Sequence, residues 1–148
     1  MKRIKFLAMM LIGLMVSTMS YADDRPIPVN QLPAPAKTFV QKHFQGKTII
    51  YAEKDNTTYE CRLSDGTQVD FYKKGDWKKV DTNDMSAVPS ALVPNAIKQY
   101  VQSTFPGAKI TKIEKERYGY DIELSNDLEL KFNHQGALLR PPLGPQRP

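Results

Sequence analysis

The sequence predicts an α+β fold of two tandem units, each a helix followed by antiparallel strands, with one sheet face covered by the helices. Three observations carry this. The chain overlays itself without a gap when shifted by 61 residues. Each copy opens with apolar residues at helical spacing. Each copy then changes to an alternation of apolar and polar residues.

The shift places Pro33 on Pro94, Lys37 on Lys98, Val40 on Val101, Gln41 on Gln102, Phe44 on Phe105, Gly46 on Gly107 and Ile49 on Ile110. Further on it places Glu53 on Glu114, Lys54 on Lys115, Tyr59 on Tyr120, Leu63 on Leu124, Phe71 on Phe132 and Gly75 on Gly136. A register that keeps prolines, glycines and aromatics together over such a length marks a duplicated unit. The copies run over 32–81 and 93–140, joined by a polar linker, 82–92, that contains Pro89. Residues 23–31 form an N-terminal extension. The tail, 141–148, is rich in proline and is expected to be extended.

In the first copy Ala36, Phe39, Val40 and Phe44 form one apolar stripe, and Ile97, Tyr100, Val101 and Phe105 repeat it. Pro33 and Pro94 suit a first helical turn, where a missing N–H costs little. Gly46 and Gly107 suit the left-handed position just past the helix end.

The strands alternate with a period of two. Tyr59, Cys61 and Leu63 point one way and Glu60 and Arg62 the other; Tyr120, Ile122 and Leu124 alternate with Asp121 and Glu123. The next strands set Thr67, Val69 and Phe71 against Gln68, Asp70 and Tyr72, and Leu128, Leu130 and Phe132 against Glu129, Lys131 and Asn133. One apolar face per strand implies a sheet covered on one side. Residues opposite each other across a hairpin share a face. A three-residue loop, with Gly66 in the left-handed position, satisfies this by pairing Leu63 with Thr67, Cys61 with Val69 and Tyr59 with Phe71. Asp127 takes the same position in the second copy. By the same rule Phe71 faces Trp77 and Phe132 faces Leu138. Ile110 and Ile113 are out of phase, which predicts a β-bulge in the preceding strand.

At the N-terminus, Lys2, Arg3 and Lys5 precede an apolar run over 6–16, and small residues end at Ala22. This is the pattern of a secretory signal peptide over 1–22, with a run too short to span a bilayer. It predicts a periplasmic or secreted protein with no stable membrane anchor after cleavage. Three of the 21 Lys and Arg residues lie in that segment and none of the 16 acids do, so the mature net charge falls from +5 to +2. The remaining bases are scattered among acids, which excludes a nucleic-acid footprint. Cys61 is the single cysteine, so no intrachain disulfide forms, and its inward position reads as core.

Catalysis needs a nucleophile with a base, paired acids in a cleft, or a metal with its ligands. The two histidines do not supply these: His43 ends the first helix, His134 sits in a hairpin loop, and neither recurs in the other copy. Asn56-Thr57-Thr58 is a glycosylation sequon, relevant only in a eukaryotic host. The chain is therefore expected to be non-enzymatic, with no catalytic residue, cofactor or metal. Attention moves to the polar sheet face: Glu60, Arg62, Asp70, Tyr72, Asp121, Glu123, Glu129 and Lys131. The register sets Glu60 against Asp70 and Glu123 against Glu129, unfavourable pairs, and Asp121 against Lys131, a favourable one. Such acids can receive a basic patch of a partner or a hard cation, or neighbouring lysines such as Lys78 can neutralise them.

The order is a short amphipathic helix, Gly-x-x-Ile, Tyr-x-x-x-Leu-Ser, a polar turn and Phe-x-x-x-Gly. The residues are Phe44 to Ile49, Tyr59 to Gly75 with Trp77, and Phe105 to Gly136. This order resembles the PepSY-like proteins grouped with the β-lactamase-inhibitor-protein-like fold. The resemblance implies tandem helix-plus-sheet units, a periplasmic location and a sheet face that docks on another protein; no inhibitory motif is present to carry over. The expected function is binding or inhibition of another envelope or secreted protein through that face. The alternative is binding of a small ligand or a calcium-type cation.

Overall fold

In the computed structural model, residues 24–140 are described, so the expected signal peptide over 1–22 and the tail over 141–148 lie outside the described residues. Two helices, α1 (Ala34–His43) and α2 (Asn95–Thr104), are related by the 61-residue offset at both ends. Pro33 and Pro94 stand at the cap position, one residue earlier than expected, with extended backbone (ψ 141° in both). Each cap carbonyl takes two N–H groups of the first turn, from Ala36 and Lys37 at 3.0 and 3.2 Å, and from Ile97 and Lys98 at 3.1 Å each. Gly46 and Gly107 also lie one residue further out than expected. They occupy the third position of tight turns closed by Lys47 N–H on the Phe44 carbonyl and by Ala108 N–H on that of Phe105, with φ +79° and +87°.

Nine strands make one antiparallel sheet in chain order. They are β1 (Arg25–Pro26), β2 (Ile49–Lys54), β3 (Thr58–Leu63), β4 (Gln68–Tyr72), β5 (Trp77–Asp81), β6 (Ile110–Glu116), β7 (Gly119–Leu124), β8 (Glu129–Asn133) and β9 (Leu138–Arg140). The hairpins carry the register that the alternation requires. Cys61 faces Val69, Tyr59 faces Phe71 and Phe71 faces Trp77; Phe132 faces Leu138. The Leu63 N–H bonds the Thr67 carbonyl at 2.8 Å, closing the three-residue loop around Gly66 (φ +88°), and Asp127 fills the same role at φ +63°. Bulges interrupt β2 between Ile49 and Tyr51 and β6 between Ile110 and Lys112, at equivalent positions.

Both helices lie on one face. Leu63, Val69, Phe71, Val80, Ile113, Ile122, Leu124, Leu130 and Phe132 point toward them and are almost fully buried. Phe39 of α1 sets its ring edge against Phe71 at 5.5 Å, and Tyr100 of α2 does the same to Phe132 at 5.5 Å. Each helix thus docks one aromatic on the central phenylalanine of its own repeat, a pairing that adds about 0.5–1.5 kcal/mol beyond the area buried. In the first repeat Trp77 stacks on the other side of Phe39 at 6.1 Å; the second has Leu138 at that position.

The two connecting segments are more ordered than their polar composition implied. Residues 24–31 supply β1 and a short 3-10 helix, Val29–Gln31; the linker ends in its counterpart, Ser90–Leu92, again at the 61-residue offset. Thr82, Val88 and Leu92 of the linker are buried. Thr82 can be buried because its hydroxyl donates within reach of the Ser86 carbonyl (2.6 Å) and the Thr111 carbonyl (3.0 Å).

Cys61 is fully buried, and burial pushes its thiol up to about 12, with Asp70 and Glu60 adding to the shift. A thiolate is then absent at neutral pH, so the folded protein should not react with a thiol reagent unless denatured. Cys61→Ser should lower stability by about 1–3 kcal/mol by burying a hydroxyl where a thiol packed; chemical denaturation measures this. Fast labelling of the native protein, or an unchanged midpoint for the serine variant, would contradict the placement.

Candidate functional site: the outer face of the sheet

Because both helices cover one face, the other is bare, and its side chains fall into rows that cross all the strands. One row runs Glu53, Glu60, Asp70, Lys79, Glu114, Asp121, Lys131, each directly opposite the next. The adjacent row runs Tyr51, Arg62, Gln68, Asp81, Lys112, Glu123, Glu129. The eight side chains singled out from sequence divide between them. Glu60, Asp70, Asp121 and Lys131 stand in the first row and Arg62, Glu123 and Glu129 in the second. Tyr72 stands apart, opposite Thr58 and 38% exposed.

The like-charged pairs are tempered by lysines from neighbouring strands. Asp70 lies 2.9 Å from the Lys79 ammonium of β5, so the Glu60–Asp70 opposition is followed by a compensating cation. Arg62 reaches Glu60 only at 3.6 Å and stacks its guanidinium on the Tyr51 ring at 5.4 Å. Lys78, expected near the acids, pairs with Glu114 at 3.4 Å. Lys112 pairs with Glu123 at 3.5 Å, while Glu129 across the strand forms no ion pair among the described residues. Asp121 pairs with Lys131 at 2.7 Å, and Tyr118 bridges the two, donating to Asp121 and accepting from Lys131 at 2.9 Å. The hydrogen bonds that Lys131 donates to Asp121 and to Tyr118, with the Asp121 charge, raise the Lys131 pKa.

Two groups show what this face does to charge. Glu60 is pushed up, first by burial and then by Asp70 and Glu53; Lys79 and Arg62 pull the other way and do not cancel it. For Lys79, burial disfavours the charge, but the hydrogen bond and field of Asp70 outweigh it and raise the pKa, with help from Glu114 and Glu60. At the rim, the loop between β2 and β3 holds Asp55. Burial alone would raise this carboxyl. Instead, N–H groups of Thr57 (2.5 Å) and Thr58 (2.6 Å), with both hydroxyls, hold it at about 2.

The 61-residue offset separates scaffold from surface. Inward residues match in kind, whereas the outward ones match only in part: Glu53 corresponds to Glu114 and Glu60 to Asp121, but Asp70 corresponds to Lys131, Arg62 to Glu123 and Gln68 to Glu129. Sequence reasoning missed Tyr51, Glu53, Lys79, Asp81, Lys112 and Glu114 on this face. The signal lay in the alternation of Lys79 and Asp81 around Val80, but their neighbours become known only when β5 pairs with β6.

Among the described residues, the cysteine and the two histidines stand apart from one another. Cys61 points to the side of the sheet opposite this face. His43 packs on Phe39 at 4.6 Å between ring centres, its pKa lowered by burial and then by Lys42. His134 Nε2 lies 3.0 Å from the Arg117 carbonyl. Among the described residues no three His, Cys, Asp or Glu side chains converge closely enough to hold a metal ion, and no helix is long and apolar enough to cross a membrane.

Two helices on one face of a nine-stranded antiparallel sheet define an α+β fold with one open face. The sequence profile of the PepSY-like family, described as "putative beta-lactamase-inhibitor-like", matches residues 19–66 and 57–140, and the chain belongs to that family. Three solved structures are similar to it, each with a TM-score of 0.74. A "putative calcium-regulated periplasmic protein" of Bacteroides thetaiotaomicron is 38% identical, with 80% of this chain and 95% of the other covered. A putative periplasmic protein of Bacteroides vulgatus is 40% identical over the same shares. A second B. vulgatus periplasmic protein, described as of unknown function, is 36% identical over 79% of this chain and 97% of its own. Among curated proteins, no sequence matches.

The raised Glu60 pKa makes a signed prediction. A carboxyl titrating higher in the folded than in the unfolded state binds more protons when folded. Its charge therefore costs stability above that pKa, and the cost is relieved as pH falls through it. Glu60→Gln should raise stability at neutral pH, by up to about 1 kcal/mol, and the gain should vanish in acid. Thermal melts of both proteins across the carboxylate range test this. A loss of stability at pH 7 would mean that the attraction of Arg62 and Lys79 wins.

Proposed function

We propose that this chain is a non-catalytic binding protein of the bacterial envelope that docks another exported protein on its outer sheet face. The observation that carries the reading is the one-sided cover: two helices bury one face of a nine-stranded sheet and leave the other as a broad surface with charge in ordered rows. Arg62 and the tyrosines at 51, 72 and 118 give that surface the residue types that anchor protein interfaces. The periplasmic description of the relatives and the basic, apolar, small-residue order of residues 1–22 support an envelope location. The inhibitor-like description of the family supports a protein as the partner.

A second reading, a calcium-type cation on the acids of the first repeat, is favoured by the "calcium-regulated" wording of one relative and by the run Glu53, Glu60, Asp70. Lys79 on Asp70, and the lack of any convergent acid triad among the described residues, weigh against it.

Affinity capture from envelope extract distinguishes these readings. The double variant Glu123→Lys, Glu129→Lys should lose any captured protein, while Lys42→Glu on the helix side keeps it. Both variants should melt near the parent, because exposed charges contribute under about 1 kcal/mol each. Capture that is indifferent to the sheet-face reversal would sink the reading. Heat on calcium titration that is abolished by Glu60→Gln would favour the second one.

A further inference from the structure

The edges of β2 and β6 are equivalent in the two repeats but are covered to different extents. Against β6 lies β5, with Lys79 opposite Glu114, Val80 opposite Ile113 and Asp81 opposite Lys112. The linker prolongs that cover. Thr82 N–H donates to the Thr111 carbonyl at 2.9 Å, and Val88 N–H to the Ile110 carbonyl at 2.8 Å. Thr111 is 2% exposed as a result, and Val88 is itself buried.

Against β2 lies only β1. Pro26 takes the place of Lys79, opposite Glu53, and the Ile27 N–H reaches the Ala52 carbonyl at 2.9 Å, in the place of Val80. The chain then turns at Pro28, the counterpart of Pro89, so nothing corresponds to residues 81–88. Among the described residues, none gives the carbonyls of Ile49 and Ile50 a bond like those from Thr82 and Val88. Ile50, the counterpart of the buried Thr111, is 62% exposed.

The side-chain surroundings repeat the contrast. A groove beside α2 is lined by Val93, Val101 and Ile110, with Ala87 and Val88 of the linker in its wall. The equivalent groove beside α1 is lined by Val29, Val40 and Ile49, and among the described residues no segment stands where Ala87 and Val88 stand.

We propose that the Ile49–Tyr51 edge, together with the groove between Val29, Val40 and Ile49, is a strand-acceptor site for an extended segment of another polypeptide. The occupant repeats what the linker does in the second repeat. It donates backbone N–H groups to the Ile50 and Ile49 carbonyls, lays a side chain over Ile50, and places a small aliphatic residue of the valine type in the groove. This is addition of a strand to an open sheet edge, in which main-chain bonds give affinity and pockets for alternate side chains give specificity. A second copy of the chain is the poorer occupant. Its β9 is the counterpart of β5, but Pro141 and Pro142, the counterparts of Val80 and Asp81, come directly before Leu143, the counterpart of the donor Thr82, and prolines suit a paired strand poorly.

The chain contains its own probe: a peptide of residues 79–90, the segment that covers the equivalent edge. Titrated into the isotope-labelled full chain to millimolar concentration, it should shift the amide resonances of residues 49–52 and of the groove, and slow hydrogen exchange at that edge. Peptides carrying Thr82→Pro or Val88→Asp should bind at least about tenfold more weakly, since each removes a main-chain bond or an apolar contact. Ile50→Lys in the protein should weaken binding to a similar extent with an unchanged melting temperature, because Ile50 is already largely exposed. No shift at millimolar peptide, shifts elsewhere on the molecule, or equal binding of the control peptides would overturn the proposal. So would concentration-dependent dimerisation, seen by sedimentation and lost with Ile50→Lys, which would assign the edge to a second copy.

Discussion

Val80 lies opposite Ile113, both fully buried, and this seam turns two small repeats into one protein. Each repeat has one helix and four strands of its own, too little to bury a core independently. Joined edge to edge, the strands close their internal main-chain bonds and the inner residues of both repeats form one hydrophobic cluster. The seam is also asymmetric. It joins the last strand of one repeat to the first of the next, so the same operation leaves a β6-like edge at one end and a β5-like edge at the other. Residues 24–27 partly cover the first of these; β9, only three residues long, forms the second.

One-sided cover then decides where chemistry can occur. Inner side chains are fixed by packing against α1 and α2 and therefore match between repeats. Outer side chains meet water, where exposed ion pairs contribute little. They are free to differ, as Arg62 and Glu123, or Asp70 and Lys131, show at equivalent positions.

Much of this was legible in the chain itself. Both helices, the three-residue hairpin loops and the bulges follow from patterns spanning a dozen residues or fewer, and the repeat follows from the 61-residue offset. Helix periodicity, strand alternation and turn chemistry are properties of adjacent residues. Local rules were less reliable at the margins. Pro33 fell one position before the helix, where its carbonyl takes the N–H groups of Ala36 and Lys37, and Gly46 fell one position beyond the expected place, because the turn after Phe44 is closed by the Lys47 N–H. The linker appeared polar, yet Thr82 and Val88 are buried, because the β6 edge offered their backbone N–H groups carbonyl partners.

The sequence by itself determined the repeat unit, the inward and outward sets of each strand and the pairing within each hairpin, since these depend on near neighbours in the chain. Packing across the repeats settles that the two units share one sheet, that Lys78 of the first repeat pairs with Glu114 of the second, and that Ile50 is exposed where Thr111 is not. These depend on contacts between strands some thirty residues or more apart, such as β5 with β6. No local period records them, because pairing across that distance is set by which edge remains open once each repeat has folded.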